Sequence, residues 1–397
     1  MVAAVDPYLI DWLDLSFRFL HVIAAIVWIG TSFYFVALDN HLRPPADERD
    51  DVGGESWEIH GGGFYRIEKF RVTPPRIPEP LHWYKWEAYT TWLSGFALFI
   101  ALYYLQPRTY LIDRDVADIS PAVAIAASIA LLVAAWLVYD LLCRTVAKRS
   151  EAALAVCVLA LVVGTAYGVS QLLAPRAAYL QVGAMLGTIM VANVFFVIIP
   201  AHWELIRAKQ AGREPDPAAG LRGKQRSVHN NYFTLPVLFA MLSNHFAFTY
   251  THAHSWLVLV CLMVIGAAIR HFFNLRHQGR NMWAIAVAAA IALAGIAVWL
   301  RPPETSSAGP QVPFQRVRGI VAERCGVCHS MRPTQPGFSS PPKGIAFDTP
   351  AQIAAQAAAI EQQAVVLKAM PLGNVTHMTQ AERDALGAWI RRGANIP

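Results

Sequence analysis

The sequence has no stripe of basic residues with interleaved exposed aromatics, although its formal net charge is +6. Lysine and arginine cluster instead in short segments between apolar runs, as they do in the cytoplasmic loops of membrane proteins. The positive charge therefore does not serve binding to nucleic acid, and that class of function is excluded.

Cysteine is also scarce, with five residues in 397. Cys143, Cys157 and Cys261 each stand alone in an apolar stretch, where a thiol behaves as a small hydrophobic group. Cys325 and Cys328 form the only Cys-x-x-Cys pair, so a four-cysteine zinc site is excluded.

What is abundant is apolar sequence: 55% of the residues are hydrophobic and the mean hydropathy is +0.36. These values predict an all-α membrane protein with eight transmembrane helices in a bundle. The first span lacks a basic n-region and a small-residue cleavage site, so it is interpreted as a retained anchor. The predicted spans are residues 13–37, 87–105, 120–143, 152–173, 178–200, 231–250, 255–275 and 282–300.

The chain divides into a membrane domain (1–300), a linker rich in Pro, Ser and Gly (301–313) and a small second domain (314–397). Near the start of the second domain, Cys325, Cys328 and His329 form a Cys-x-x-Cys-His motif. Two thiols on one helical turn with an adjacent imidazole are the requirement for covalent attachment of a c-type haem. A thioredoxin-type redox pair is the alternative, but it does not need the histidine.

The second domain resembles a small class I cytochrome c. Its first helix presents Val317, Ile320 and Val321 on one face, and its last helix presents Leu386, Trp389 and Ile390. Capping boxes at Thr349–Gln352 and Thr379–Glu382 predict two helix starts. Met370, in the loop before the last helix, is the predicted distal haem ligand, with Met378 and His377 as reserves. A methionine–histidine pair raises the haem potential.

Topology follows from two independent arguments. Haem is joined to such motifs on the outer side of the bacterial plasma membrane, and with eight spans the N-terminus shares that side. The segments then predicted to be cytoplasmic, 38–86, 144–151, 201–230 and 276–281, carry seven, three, six and two basic residues, against two, one and none in the outer loops. We expect an inner-membrane protein with both termini periplasmic and loops 38–86 and 201–230 cytoplasmic.

With this topology, His21 and His245 lie near the outer surface of the membrane. His21, Ala25 and Trp28 share one helix face, and the small Ala25, with Gly30 just beyond it, leaves room for a planar group or another helix. This helix resembles the first helix of membrane protoporphyrinogen oxidases, whose corresponding histidine binds haem b. We therefore expect a haem b bound by His21 with His245 as second ligand, although a hydrogen-bonded packing role is an equal alternative for any one membrane histidine.

Three polar segments occur at the opposite, cytoplasmic level. For the glycines of the first segment, a flexible loop and an anion-binding nest are equal alternatives. The third crowds polar residues at what the pattern predicts to be a helix start. The segments are HGGGFYRIEKF (60–70), HWYKWEAYTTW (82–92) and RSVHNNYFTLP (226–236).

These segments, together with CGVCH and MPLGN, resemble the membrane-bound, cytochrome c-linked urate oxidases (PuuD type), and the resemblance covers nearly the whole chain. It implies oxidation of urate to 5-hydroxyisourate, with electrons leaving through the haem to a soluble or membrane cytochrome or a terminal oxidase. Such chemistry needs a cation for the urate anion, a base for protons and aromatic walls. The inner-level residues assigned to this catalytic site are Lys69, His82, Lys85, Glu87, Arg226 and His229.

Arg226 is the predicted anion anchor, and His229 the predicted base or orienting donor. Two other functions remain open. One is a quinol or porphyrinogen dehydrogenase with a fused cytochrome, which would have an apolar, lipid-facing site. The other is a transport or assembly protein whose cytochrome only conducts electrons.

Overall fold

The computed structural model describes residues 6–47, 49–302 and 309–397, and the chain is mostly helical. Residues 303–308, the middle of the predicted linker, lie outside the described residues. The helices before the linker are α1 (Pro7–His41), α2 (Trp86–Phe99), α3 (Pro107–Tyr110), α4 (Pro121–Thr145), α5 (Glu151–Ser170), α6 (Pro175–Asn193), α7 (Ile199–Gln210), α8 (Pro217–Leu242), α9 (Ala247–Tyr250), α10 (Ser255–His277) and α11 (Trp283–Trp299).

Five helices in the described part of the chain are long and apolar enough to cross a membrane, which indicates a membrane protein. The bundle of eight is not confirmed, because the other three predicted spans differ from a plain apolar helix. α2 passes into a π-helical segment, Ile100–Tyr104, α8 begins in basic sequence, and α11 has only 17 residues. The five are α1, α4, α5, the continuous helix Pro175–Gln210 and α10.

Three helices of the membrane domain, α1, α4 and α8, begin with a polar cap followed by proline. The side chain of Asp6 accepts a hydrogen bond from the backbone N–H of Tyr8 at the start of α1, and Asp216 accepts from Ala218 at the start of α8. The start of α8 at Pro217 corrects the sequence prediction. The polar crowd at 226–236 lies inside the helix rather than at its first turn, so it is not needed for capping.

The middle of the membrane domain is α6, most of whose residues are buried. It contacts α2, α4, α5 and α8. α11 is the least buried of the long helices. Ala289 is its only buried residue in the described structure, and Val298 is 75% exposed. Apolar side chains on such an exposed helix are suited to lipid rather than to water.

A two-stranded antiparallel hairpin departs from the predicted all-α fold. Strands β1 (Val52–His60) and β2 (Gly63–Phe70) pair from Val52 opposite Phe70 to His60 opposite Gly63. Gly61 and Gly62 form the turn with φ angles of 58° and 82°, a region that glycine enters without steric cost. Gly61 and Gly62 therefore form a hairpin turn rather than a flexible loop, and the anion-binding nest stays a prediction.

After the linker, helices α12 (Phe314–Arg324), α13 (Pro350–Ala355), α14 (Ala357–Ile360) and α15 (Gln380–Arg391) form a second core. Both predicted capping boxes, Thr349–Gln352 and Thr379–Glu382, are confirmed. The predicted packing of the first helix on the last is also confirmed, through a single apolar cluster. That cluster includes Val317, Ile320, Val321, Leu386 and Trp389.

Candidate functional site

The Cys-x-x-Cys-His motif forms a turn directly after α12. The N–H of Cys325 donates to the carbonyl of Val321, and the N–H groups of Cys328 and His329 donate to the carbonyl of Cys325, at 3.1 and 2.8 Å. The backbone therefore winds the two thiols and the imidazole through one turn. This is the arrangement that attachment of a c-type haem requires.

A hydrogen bond at Nδ1 orients the ring of His329. Its Nδ1 lies 2.8 Å from the carbonyl oxygen of Ile345, which can only accept, so Nδ1 carries the proton and Nε2 is left to bind a metal. Met370 lies half-buried beside the same apolar cluster as Cys325, and its carbonyl accepts from Arg383. Cys325, Cys328 and His329 would hold a haem c, and the choice between Met370 and the buried Met378 as its further ligand stays a prediction.

The thiols themselves do not have the character of a redox-active pair. Burial raises the pKa of Cys325 to about 12 and that of Cys328 to about 11. Redox-active Cys-x-x-Cys pairs depend on a thiol pKa that is lowered below its ordinary value. In addition, no group of three or more His, Cys, Asp or Glu side chains that could hold a metal occurs in the described part of the chain. The thioredoxin-type alternative therefore loses support.

The second domain is docked on the membrane domain at the level of α3. Asn374 donates to Asp115 at 2.9 Å, Gln335 lies 3.4 Å from Thr109, and Ser339 hydrogen-bonds Asp11 before the middle of α1. A cavity of about 380 Å³ lies between the domains, and its lining includes Arg176, Tyr250, Lys368 and Arg383. The loop that follows Met370 thus faces the membrane domain directly.

Gly373 offers a test of this docking. Its φ is 55°, and a Cβ added there would lie 2.7 Å from the carbonyl oxygen of Ile112. We expect Gly373→Val to separate the loop from the segment that follows α3, seen as faster amide hydrogen exchange at residues 107–115. Gly344→Val is the matched control, because its φ is 69° but nothing lies within 4 Å. Equal exchange in both variants would contradict the docking.

At the other end of the membrane domain, Arg226 and His229 belong to one buried network. Arg226 pairs with Asp140 at 2.7 Å and lies 5.0 Å above the ring of Tyr139. Asn193 donates to the hydroxyl of Tyr139 at 3.1 Å, and that hydroxyl lies 2.7 Å from Nδ1 of His229. The predicted anion anchor is therefore already neutralised by a carboxylate of the chain itself.

The surroundings of His229 favour one tautomer. Its Nε2 points toward the carboxylate of Glu151, 3.7 Å away, which can only accept, so the proton of the neutral ring is favoured on Nε2. Nδ1 then accepts a hydrogen bond from the hydroxyl of Tyr139. Of the two predicted roles for His229, this geometry favours the orienting donor over the base.

The remaining predicted inner residues are scattered over separate contacts. Lys69 pairs with Asp39, the ring of His82 packs edge-on against Tyr84 at 4.7 Å, and Lys85 lies over Trp83 and Trp86. Oxygen Oε2 of Glu87 is buried without a hydrogen-bond partner. The structure thus brings together Arg226 and His229 but shows no contact between them and the other four among the residues it describes.

His21 and His245, the predicted haem b ligands, occupy different surroundings. Nδ1 of His21 donates to the carbonyl of Thr91 at 2.9 Å, and its ring packs against Gly95 on α2. His245 is exposed in a short 3₁₀ turn after α8. Among the described residues no hydrogen bond or ring contact joins the two histidines. With Nδ1 bonded in this way, Nε2 of His21 would be left to hold a haem b, and ligation by the pair stays a prediction.

A second polar cluster at the same end of the membrane domain was missed by the sequence patterns. Arg270 on α10 donates from Nε to Oδ1 of Asn231 on α8 at 2.5 Å, and its guanidinium lies 3.7 Å from the ring centre of Phe33 on α1. Asn274 lies one turn further along α10. The sequence does contain a signal for this cluster, which is the presence of Arg270 within an apolar span. A charged residue inside a membrane span is a functional candidate by default.

The fold and these sites define a helical membrane protein that carries a docked second domain with a Cys-x-x-Cys-His turn. The chain belongs to the urate oxidase N-terminal family, whose model matches residues 7–301. That range runs from α1 through α11 and ends before the second domain. Membership indicates a urate-related oxidoreductase. No match was found among curated proteins or among solved structures.

Proposed function

We propose that the membrane domain oxidises urate to 5-hydroxyisourate and that the electrons leave through a haem c held by Cys325, Cys328 and His329. The observation that supports this is the joining, in one chain, of a urate oxidase family domain with a docked Cys-x-x-Cys-His turn. The family match alone does not say what accepts the electrons removed from urate. The second domain would provide that acceptor.

The reaction balances without dioxygen. Urate and one water molecule give 5-hydroxyisourate, two protons and two electrons. A bound haem c would accept electrons singly, and ligation by His329 and Met370 would raise its potential enough for it to act as acceptor. We include a haem b at His21, with His245 as second ligand, because a second centre shortens the life of a radical formed after the first electron leaves.

The proposed setting is a bacterial inner membrane with the second domain on the periplasmic side. The N-terminal part of α1, α3 and the start of α6 contact that domain or line the cavity beside it, so they lie at one end of the helices. A soluble or membrane cytochrome, or a terminal oxidase, would then receive the electrons. The loops predicted to be cytoplasmic lie at the opposite end, where the substrate site is proposed.

The test is anaerobic mixing of the purified holoprotein with urate, with a quinol or with buffer. We expect urate alone to reduce the haem c, seen as growth of its reduced absorption band. Reduction by the quinol alone would support the alternative dehydrogenase instead. Absence of reduction by either compound would support a protein that only conducts electrons, and would contradict urate oxidation.

A further inference from the structure

We propose that Arg270, Asn231 and Asn274 bind the anionic edge of the substrate, an inference that rests on the proposed urate chemistry. Three polar atoms in this cluster are buried and have no hydrogen-bond partner: Nη2 of Arg270, Nδ2 of Asn231 and Oδ1 of Asn274. The residues are 4%, 0% and 7% exposed. Buried polar atoms are nearly always paired, so three together indicate a group that binds there.

The contrast with Arg226 sharpens this inference. Arg226 has Asp140 as its counter-charge, whereas Arg270 forms no ion pair with any residue that the structure describes. An unpaired charge in a membrane helix is costly, and such residues usually mark a pathway or ligand site. An anionic ligand would supply the missing charge.

The position of the cluster suits a planar ligand that enters from the helix ends. Phe33 lies against the guanidinium of Arg270 and leaves its Nη2 edge free. Along α10, Arg270, Asn274 and His277 are spaced i, i+4 and i+7, which places them on one face. Nδ1 of the half-buried His277 is also unpartnered, so a polar stripe runs from the cluster to the end of α10.

The unpaired atoms specify more than negative charge. Nη2 and Nδ2 are donors, and Oδ1 of Asn274 is an acceptor. A simple carboxylate would satisfy only the donors. An oxopurine anion presents carbonyl oxygen, deprotonated nitrogen and N–H around one planar ring, so it would satisfy all three. The cluster therefore fits a urate-like anion better than a generic acid.

Asn231→Asp tests the assignment, because it places a carboxylate of nearly the same shape where Asn231 already accepts from Arg270. The new charge would neutralise Arg270 and repel an anion. We expect the KM for urate to rise roughly 10- to 100-fold, the range that loss of a hydrogen bond to a charged group gives. The thermal unfolding midpoint should rise or stay unchanged, and the haem c spectrum should not change.

Asn244→Asp is the matched control. Asn244 lies in the short 3₁₀ turn that follows α8, the helix that carries Asn231. Nε of Arg176 donates to Oδ1 of Asn244 at 2.8 Å, which repeats the Arg270–Asn231 contact away from the proposed site. Its KM for urate should equal that of the wild-type protein. If the Asn231→Asp protein does not accumulate, Arg270→Lys tests the site independently. This change keeps the positive charge but removes the planar guanidinium group.

The possible failures are distinguishable. If wild-type protein does not reduce its haem with urate, the proposed function fails and this inference falls with it. If wild-type protein does so, and both Asn231→Asp and Arg270→Lys keep the KM within about twofold, only the inference is overturned. A rise in KM that Asn244→Asp shares equally would also overturn it, because the effect would not be specific to the Arg270 cluster.

Discussion

Replacing Cys325 and Cys328 together with alanine is expected to abolish covalent haem and all electron transfer to external acceptors. The motif supplies the only Cys-x-x-Cys pair in the sequence, so no other residues can take over the thioether bonds. Membrane insertion should be unaffected, because the change lies outside the membrane domain. Haem staining of the denatured protein and turnover with an artificial acceptor measure the two effects.

The controls for this prediction are Cys157→Ala and Cys261→Ala, which change lone thiols in α5 and α10 and should leave staining intact. A pyridine haemochrome spectrum of the double variant adds a second result. Any haem that remains is expected to be b-type, as proposed for His21. Covalent haem that survives the double change would refute the assignment of Cys325 and Cys328.

Arg226→Gln is expected to destabilise the membrane domain strongly, because it strands Asp140 in a buried position. Removal of one partner from a buried ion pair typically costs about 3–5 kcal/mol. Asp140 keeps a contact with the more exposed Arg144, which makes the lower end of that range the expectation. The thermal unfolding midpoint in detergent, with Asp140→Asn and the double variant alongside, measures the coupling.

The double variant separates the two roles that Arg226 has been given. If the Asp140–Arg226 pair is structural, Asp140→Asn with Arg226→Gln should recover much of the stability and the urate turnover together. If Arg226 anchors urate, stability should recover while the KM stays high, since the anion has lost its cation. The pairing in the structure leads us to expect the first result.

Much of the helical architecture could be predicted because hydropathy and capping are local signals. Each capping box is formed by residues three positions apart, and the contact of α12 with α15 was predicted from the apolar face that each helix presents. The hairpin was missed since its glycines were interpreted without the strands that flank them. Alternation in those strands is weak, and Phe64 is 77% exposed.

The inner site shows where a single sequence stops being informative. Arg226 and Arg270 look alike in sequence, each near the predicted cytoplasmic end of a helix. Their difference lies in the neighbours that folding brings to them: Asp140 from α4 for Arg226, and Phe33 from α1 and Asn231 from α8 for Arg270. Pairing across such distances depends on helix packing, which residue patterns do not encode directly.

The two contacts of Asp140 also bear on how the chain is built into the bilayer. One oxygen binds Arg144, a single turn away on α4, and the other binds Arg226 from α8, which is synthesised later. A lone charge in an inserting helix is costly, by about 2.5–3.5 kcal/mol at the helix centre on translocon scales and by less near the helix end, where Asp140 lies. Arg144 offsets part of that cost before α8 exists. We therefore expect α4 to insert without help from downstream sequence. When α8 is inserted later, Asp140, the acidic partner of Arg226, is already in the membrane.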